Sequence, residues 1–399
     1  MIDKKIYKEK IDEIMQVLSN DKIAVSDTFG LLSGLGGRLL FIFEYCKLHN
    51  NDKGNNQILE KAIDNLINMI IEQEYPIHTY CAGISGIGWL LCYLERRGKK
   101  TEISPEIDDF LCRWISTDIQ KQNYDFLHGF IGTTYYFICK NKNEKNREKI
   151  ISSVLDYLYH GPICHVKDNS RYWINWNLKR EKECNISLSH GITAIVAVLL
   201  KAVSLEYGNR TKIVTMIEQT INFILKQEIN VDLYDSYFSY LSINSSDTIV
   251  KSRLAWCYGD LGIAVTLYNA GVKLNRSDWI NKAMEILLFA ARNRRNLEQN
   301  SVFDACVCHG TAGIGHIFYR MWWNTHNPDF KEAADYWFER TIEFAKFKDG
   351  IAGYKIWSTN GHYDNDYCGI LEGVAGIGLA LISYAYETEP TWDECLLLS

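Results

Sequence analysis

The sequence predicts an all-α fold, an α/α toroid in which seven inner helices are ringed by seven outer ones. Three observations predict it. A glycine-spaced apolar motif recurs seven times, the spans between copies each have room for two helices, and the 399 residues include only 5 prolines. Leucine, isoleucine, lysine and glutamate are abundant, which favours long helices over strands.

The motif is G-x-x-G-x-G followed by large apolar residues. It occurs as "LLSGLGGRLLFIF" from Leu31, "GISGIGWLLCYL" from Gly83, "GFIGTTYYFI" from Gly129, "GITAIVAVLL" from Gly191, "GDLGIAVTLY" from Gly259, "GTAGIGHIFY" from Gly310 and "GVAGIGLALI" from Gly373. Leu31 stands for the first glycine of the first copy, and Ala194 for the second glycine of the fourth. With the second position at 34, 86, 132, 194, 262, 313 and 376, the steps run from 46 to 68 residues. Each is long enough for two helices and a connection. A dinucleotide loop would need a preceding strand and an acidic residue about 20 positions on, and neither is evident. Glycines at this spacing instead let a neighbouring backbone approach an apolar helix closely, as helices crowding an axis require.

Between the motifs, segments such as 57–74 and 278–293 place apolar residues three and four apart, the pattern of outer helices with one buried face. The N-terminal stretch "MIDKKIYKEKIDEIMQVL" reads as a surface amphipathic helix with Ile6, Ile11, Ile14 and Met15 on its apolar side. Residues 160–186, with the alternating "RYWINW", read as a small strand-containing insertion between repeats three and four, either a contact for a partner or substrate or a simple loop. The whole of 1–399 is expected to form one toroidal domain.

A chain that is 47% hydrophobic and 23% charged buries a large core, and its net charge of −6 gives no electrostatic footprint for nucleic acid or an anionic membrane. The N-terminus lacks the apolar segment of a signal peptide. The longest apolar run, 373–386, is shorter than the about 20 residues a spanning helix needs. The expectation is a soluble cytoplasmic protein whose 12 scattered cysteines are mostly buried thiols.

In a closed ring, equivalent repeat positions share a rim. The residue before the first glycine, from the second repeat on, is Ala82, His128, His190, Tyr258, His309 and Glu372; one position earlier stand Cys81, Leu127, Ser189, Cys257, Cys308 and Leu371. Cys257 and Cys308 therefore hold the same position in consecutive repeats, which are neighbours in space. Together with His309 they form a Cys₂His set with one position open, the arrangement of a catalytic zinc. Other candidates have plainer readings. Cys81 lies three repeats away across the ring and is expected to be an ordinary thiol. Cys306, off the repeat position, is expected to be packed, and His316 to be a satisfied core histidine. Cys164, His165 and His362 are expected in loops, while Glu372 either extends the pocket or caps its helix.

The stretches "SRLAWCYGD", "CHGTAGIG", "SHGITA" and "LEGVAGIGLAL" resemble the lanthionine synthetase C, or LanC, cyclases of lantibiotic biosynthesis, over nearly the whole chain from about Gly30 to Leu381. The resemblance implies a zinc-dependent cyclase that closes thioether rings in a ribosomally made peptide, leader plus core, whose serines or threonines were dehydrated by a separate enzyme. It also implies an α/α toroid, in agreement with the repeats. Cys257, Cys308 and His309 match the family's zinc ligands, and His190, Asp125, Arg253 and Tyr258 its active-site positions; His128 departs from the pattern.

These matches imply roles. A zinc-bound peptide thiol is nucleophilic at neutral pH and adds to dehydroalanine or dehydrobutyrine, and the resulting enolate needs a proton. His190 is the first choice of donor and Tyr258 the second; Arg253, one helical turn before Cys257 if the segment is helical, supplies fixed positive charge. Asp125 either orients His190 or pairs with Arg253. The family also implies assembly with a dehydratase and a membrane exporter, so any membrane association is peripheral. A competing class is a non-catalytic LanC-like scaffold that binds zinc and a thiol such as glutathione. A third, a toroid acting on glycans or isoprenoids, lacks its paired carboxylates or aspartate-rich motifs here.

Overall fold

The computed structural model describes residues 3–20, 28–49, 53–73, 76–99, 101, 104–140, 145–162, 164–174, 184–243, 249–358, 360–365 and 368–399. Its helices are α1 (Lys4–Leu18), α2 (Leu35–Leu48), α3 (Lys53–Ile71), α4 (Ile84–Glu95), α5 (Pro105–Gln120), α6 (Phe130–Cys139), α7 (Lys145–His160), α8 (Ile192–Ser204), α9 (Arg210–Leu225), the one-turn α10 (Val231–Tyr234), α11 (Asp260–Leu274), α12 (Ser277–Asn293), α13 (Thr311–Thr325), α14 (Pro328–Glu343) and α15 (Val374–Ala385). The inner ring is α2, α4, α6, α8, α11, α13 and α15, each packed on the next, with α15 returning to α2. These helices are apolar around most of their circumference because both faces are covered. Outer helices α3, α5, α7, α9, α12 and α14 each pack on the inner helix before them, burying one stripe such as Trp279, Ala283, Ile286, Leu287 and Ala290 of α12.

The seventh outer helix is supplied by the other end of the chain. Helix α1 packs on α15, with Tyr7 edge-on to Tyr384 at 5.1 Å between ring centroids and Lys4 paired with Glu387. Its buried side is Tyr7, Ile11, Ile14, Met15 and Leu18, so Tyr7 takes the place expected of Ile6, which is exposed. N- and C-terminal elements thus close the circle together.

The glycines act differently from the simple expectation. A Cβ on Gly132 would lie 1.9 Å from the Phe126 carbonyl oxygen, and one on Gly313 1.9 Å from that of Val307. The backbone that comes close is therefore the helix's own entry loop, folded over its first turn. Where a third glycine follows, a ring fills the space: Cβ positions at Gly88 and Gly378 fall 2.6 Å from Tyr136 of α6 and 2.4 Å from Phe41 of α2. The first copy also shifts its frame. Gly34 precedes α2 as Gly83 precedes α4, so Gly34 is the first glycine and Gly37 the second.

The entry loops are joined around the rim. Leu32 N–H bonds to Cys81 O, Cys81 to Leu127, Ser189 to Cys257, Cys257 to Cys308, Cys308 to Leu371, and Leu371 back to Leu32, at 2.8–3.3 Å. These are the residues two before each first glycine, so six of the seven junctions carry a backbone link. Among the described residues only the junction of repeats three and four lacks one.

The insertion there does form strands. β1 (Cys164–Lys167) pairs antiparallel with β2 (Ser170–Trp173), placing Cys164 and His165 in a strand and not in a loop. Trp173 is buried, its indole N–H donating to Leu158 O and its carbonyl accepting from the Tyr124 hydroxyl, which anchors the hairpin to the ring. Residues 163 and 175–183 of the expected insertion lie outside the described residues. A second hairpin, β3 (Ile356–Trp357) with β4 (Tyr363–Asp364), was not expected, and His362 adjoins it. No helix among the described residues is long and apolar enough to cross a membrane.

Candidate active site

Because each inner helix starts directly after the glycine that follows the rim pair, all seven helix N-termini open on the same end of the ring. A cavity of 240 Å³ occupies that end, lined by Leu32, Ser33, Cys81, Leu127, His128, His190, Cys308, Leu371 and Glu372, together with Gly369 and Gly373. Apart from the two glycines these are rim positions of six repeats. The positive ends of the helix dipoles therefore surround a small space, an environment that favours thiolate and enolate charge.

Cys257, Cys308 and His309 converge beside it, with their ligand atoms within 4.8 Å of one another. The rim link from Cys257 N–H to Cys308 O sets this approach. Zinc bonds of 2.0–2.3 Å in a tetrahedron hold such donors about 3.5–4 Å apart, so small side-chain rotations suffice and the donor set fits a zinc ion. Cys257 is held below the ordinary thiol range, first by the hydrogen bond from Cys308 and then by His309 and Arg253, against its burial.

A second cluster, Asp304, Cys306 and His309, also shares the imidazole. Cys306 is buried away from the cavity lining, and burial pushes its thiol up to about 12. The Asp304 carboxylate already accepts from Cys306 N–H and Trp357 N–H, both at 3.0 Å. Only the first cluster has a ligand, Cys308, on the cavity wall, where a substrate can reach it.

His190 faces the same cavity, and its Nδ1 lies 2.6 Å from Asp125 Oδ2. The other oxygen of Asp125 accepts from His128 N–H at 2.8 Å. Asp125 thus orients His190 and leaves Arg253 unpaired with it. The contact also bridges repeats three and four, the junction without a backbone link. Tyr258 has its ring 6.1 Å from that of His190; burial, followed by the charges of Cys257 and Cys308, pushes its hydroxyl up to about 12. Arg253 is half-buried and acts on Cys257 and Tyr258 through its charge, with residues 251–253 irregular and 254–259 in bends instead of the helix considered from sequence.

The approach of that loop has its own support. Gly259 adopts φ 81°, ψ −150°, a region essentially reserved for glycine. Asp260, wholly buried, accepts from Ser236 Oγ, Tyr237 N–H, Phe238 N–H and Arg294, while Arg294 also donates to Ser252 O. The network fixes the strand of chain that carries Cys257 and Tyr258.

Sequence reasoning missed one wall residue and left a second open. Cys81 is a thiol, pushed up to about 12 by burial, but it lines the cavity because a space this narrow brings opposite repeats face to face. Glu372 lines the cavity as well, the first of the two readings its position allowed. The repeat position was the signal for both. His316 is buried with Nε2 2.9 Å from Asp393 Oδ2, yet its Nδ1 has no partner, so it is only half satisfied. A second cavity of 470 Å³ opens at the far ends of α8, α11 and α13, lined by Lys201, Lys273 and Leu397, remote from the cysteines.

A ring of helix pairs with a Cys₂His cluster at its glycine-rich rim defines a class, and the profile of the lanthionine synthetase C-like proteins matches residues 25–397. The chain belongs to that family. Among its relatives is the nisin biosynthesis protein NisC of Lactococcus lactis subsp. lactis, 23% identical over 445 residues covering 100% of this chain and 97% of that protein. The solved structure of a nisin cyclase shares the fold, with a TM-score of 0.67 at 18% identity over 99% of this chain and 97% of that one.

Proposed function

We propose that this protein is a lanthipeptide cyclase that adds peptide cysteine thiols to dehydroalanine or dehydrobutyrine, forming lanthionine and methyllanthionine rings. The observation that carries the reading is the shared cavity wall: Cys308 of the Cys₂His cluster and His190, held by Asp125, open on the same 240 Å³ space. Zinc held by Cys257, Cys308 and His309 would supply the Lewis acidity that ionises a peptide thiol at neutral pH.

The residues of the chain do the rest. The sulfur lone pair forms the C–S bond at the β-carbon, and the C=C pair moves toward the α-carbon and carbonyl as an enolate. Protonated His190 delivers a proton to the α-carbon, and the proton released by the thiol restores it, so S–H is added across C=C without a redox partner. Tyr258 keeps its proton through neutral pH and donates to the developing oxyanion; Arg253 and the helix N-termini hold positive charge near it. A dehydrated substrate presupposes a dehydrating enzyme acting first.

The alternative, a thiol-binding scaffold, has no use for a carboxylate-held histidine facing the metal ligands. The test is zinc content and cyclisation of a dehydrated peptide by wild type, Cys308→Ala and Cys306→Ala. One zinc per chain, lost with Cys308→Ala and kept with Cys306→Ala, together with ring closure by the wild type, supports the reading. Zinc binding without any ring closure leaves the scaffold, and no zinc in folded, reduced wild type removes the mechanism.

A further inference from the structure

Three entry loops contain the same turn. Six residues before the first glycine, Asn123, Asn185 and Asp304 each accept a bond through Oδ1 from the backbone two residues on, at 3.4, 2.9 and 3.0 Å. The carbonyls of the same residues accept from the first helical N–H of α6, α8 and α13. In all three loops that side-chain oxygen lies 2.5–2.7 Å from where a Cβ on the N-cap glycine would be. The local structure is the same, and two of the three repeats build it with a neutral amide. The charge on Asp304 is not needed for the turn.

What differs is the second oxygen. In repeat three the corresponding amide nitrogen of Asn123 donates to His128 O at 3.0 Å. In repeat six the atom is an acceptor, Asp304 Oδ2, which takes Trp357 N–H at 3.0 Å and lies 3.8 Å from His309 Nε2. Asp304 is wholly buried, and beside the two backbone N–H groups it accepts from, its side-chain neighbour is the His309 imidazole, at an ion-pair separation that a small rotation of the ring closes to a hydrogen bond. Resting on the zinc-site reading above, we propose that Asp304 is the positioning residue of His309: its carboxylate holds the Nε2–H side of the ring and leaves Nδ1 as the metal-ligating nitrogen.

Carboxylates that hold a ligating histidine in this way fix its tautomer and ring orientation, and their loss lowers metal affinity about 10–100-fold. The same carboxylate also ties the β3–β4 hairpin to the site through Trp357 N–H, so the two effects must be separated.

The experiment measures zinc affinity by chelator competition in the full-length protein, as wild type, Asp304→Asn and Trp357→Pro. Asp304→Asn retains the turn, as Asn123 and Asn185 do, and circular dichroism of the zinc-free protein checks this. Trp357→Pro removes the hairpin N–H but leaves the carboxylate. The expected result is a loss of about 10–100-fold for Asp304→Asn, under about threefold for Trp357→Pro, and an altered visible band envelope when cobalt(II) replaces zinc in Asp304→Asn. Affinity within about threefold of wild type in Asp304→Asn overturns the proposal, and so does an equal loss in Trp357→Pro, which would place the effect in the hairpin. A wild type that binds no zinc instead overturns the function proposed above.

Discussion

Burial draws the His190 imidazole toward its neutral form, but the hydrogen bond and charge of Asp125, with the charge of Cys257, outweigh it and hold its pKa above the ordinary value. As the proposed proton donor, an imidazole shifted this way keeps its proton to higher pH than a free histidine does, so the rate of ring closure is expected to fall as pH rises through the raised value. Asp125→Asn removes the main raising influence, and the alkaline limb of the rate profile moves to lower pH. His190→Gln lowers kcat about 10²–10⁴-fold, whereas Tyr258→Phe slows the reaction without moving that limb. Linkage has the same sign: the pairing stabilises the fold fully below the unfolded value of about 6.5 and is lost as pH rises through the folded one. Gly259 offers a stability test. A Cβ there would sit 2.0 Å from Ser252 Oγ in a glycine-only conformation, so Gly259→Ala costs about 1–3 kcal/mol for the backbone alone, read as a lower denaturation midpoint. Most of this was legible in the residues: the aligned cysteines and His309 needed only the repeat frame. The partner of Asp125 was not, because its two options differ by side-chain direction, which spacing does not encode.

At the level of elements, the inner helices were readable because each begins with glycines that geometry demands and continues with residues apolar on every side. The hairpin β3–β4 escaped notice since two-residue strands carry no alternation to detect. The frame of the first repeat was ambiguous because "SGLGG" offers glycines at 34, 36 and 37. The tail was the least legible element. Thr391–Leu396 forms a 3₁₀ segment seated among the far ends of the inner helices, where Asp393 pairs with Arg320 and His316, and Glu394 with Arg96 and Lys201. Such contacts have sequence separations that no local pattern reveals. Burial raises the Asp393 pKa, but the charge of Arg320 and the bond from His316 outweigh it, leaving the carboxyl below its usual range. Its stabilisation is therefore present above about pH 3.9 and lost as acid drives the pH through the folded value. Asp393→Asn leaves the buried Arg320 with only the Pro390 carbonyl and the longer 3.8 Å contact to the exposed Glu389 carboxylate, and lowers stability by up to about 3–5 kcal/mol, measurable by urea unfolding at neutral pH.

For the molecule as a whole, the circle closes through α15 against α2, and α1, the first helix of the sequence, covers that seam as its outer helix. The wholly buried Tyr7 packs on Tyr384 of α15, and Tyr7→Ala should cost about 3–5 kcal/mol, as aromatic truncations in cores do, with the loss read as an earlier midpoint in thermal unfolding. The bond from Leu371 N–H to Leu32 O joins residues 339 positions apart and makes the last repeat a neighbour of the first. An open array of repeats can fray from its tips inward, one unit after another. A loop of repeats has no tips, so native-state hydrogen exchange should find no graded protection running from one end of the chain to the other. It should find the rim amides of Leu32 and Leu371, near opposite ends of the sequence, opening together.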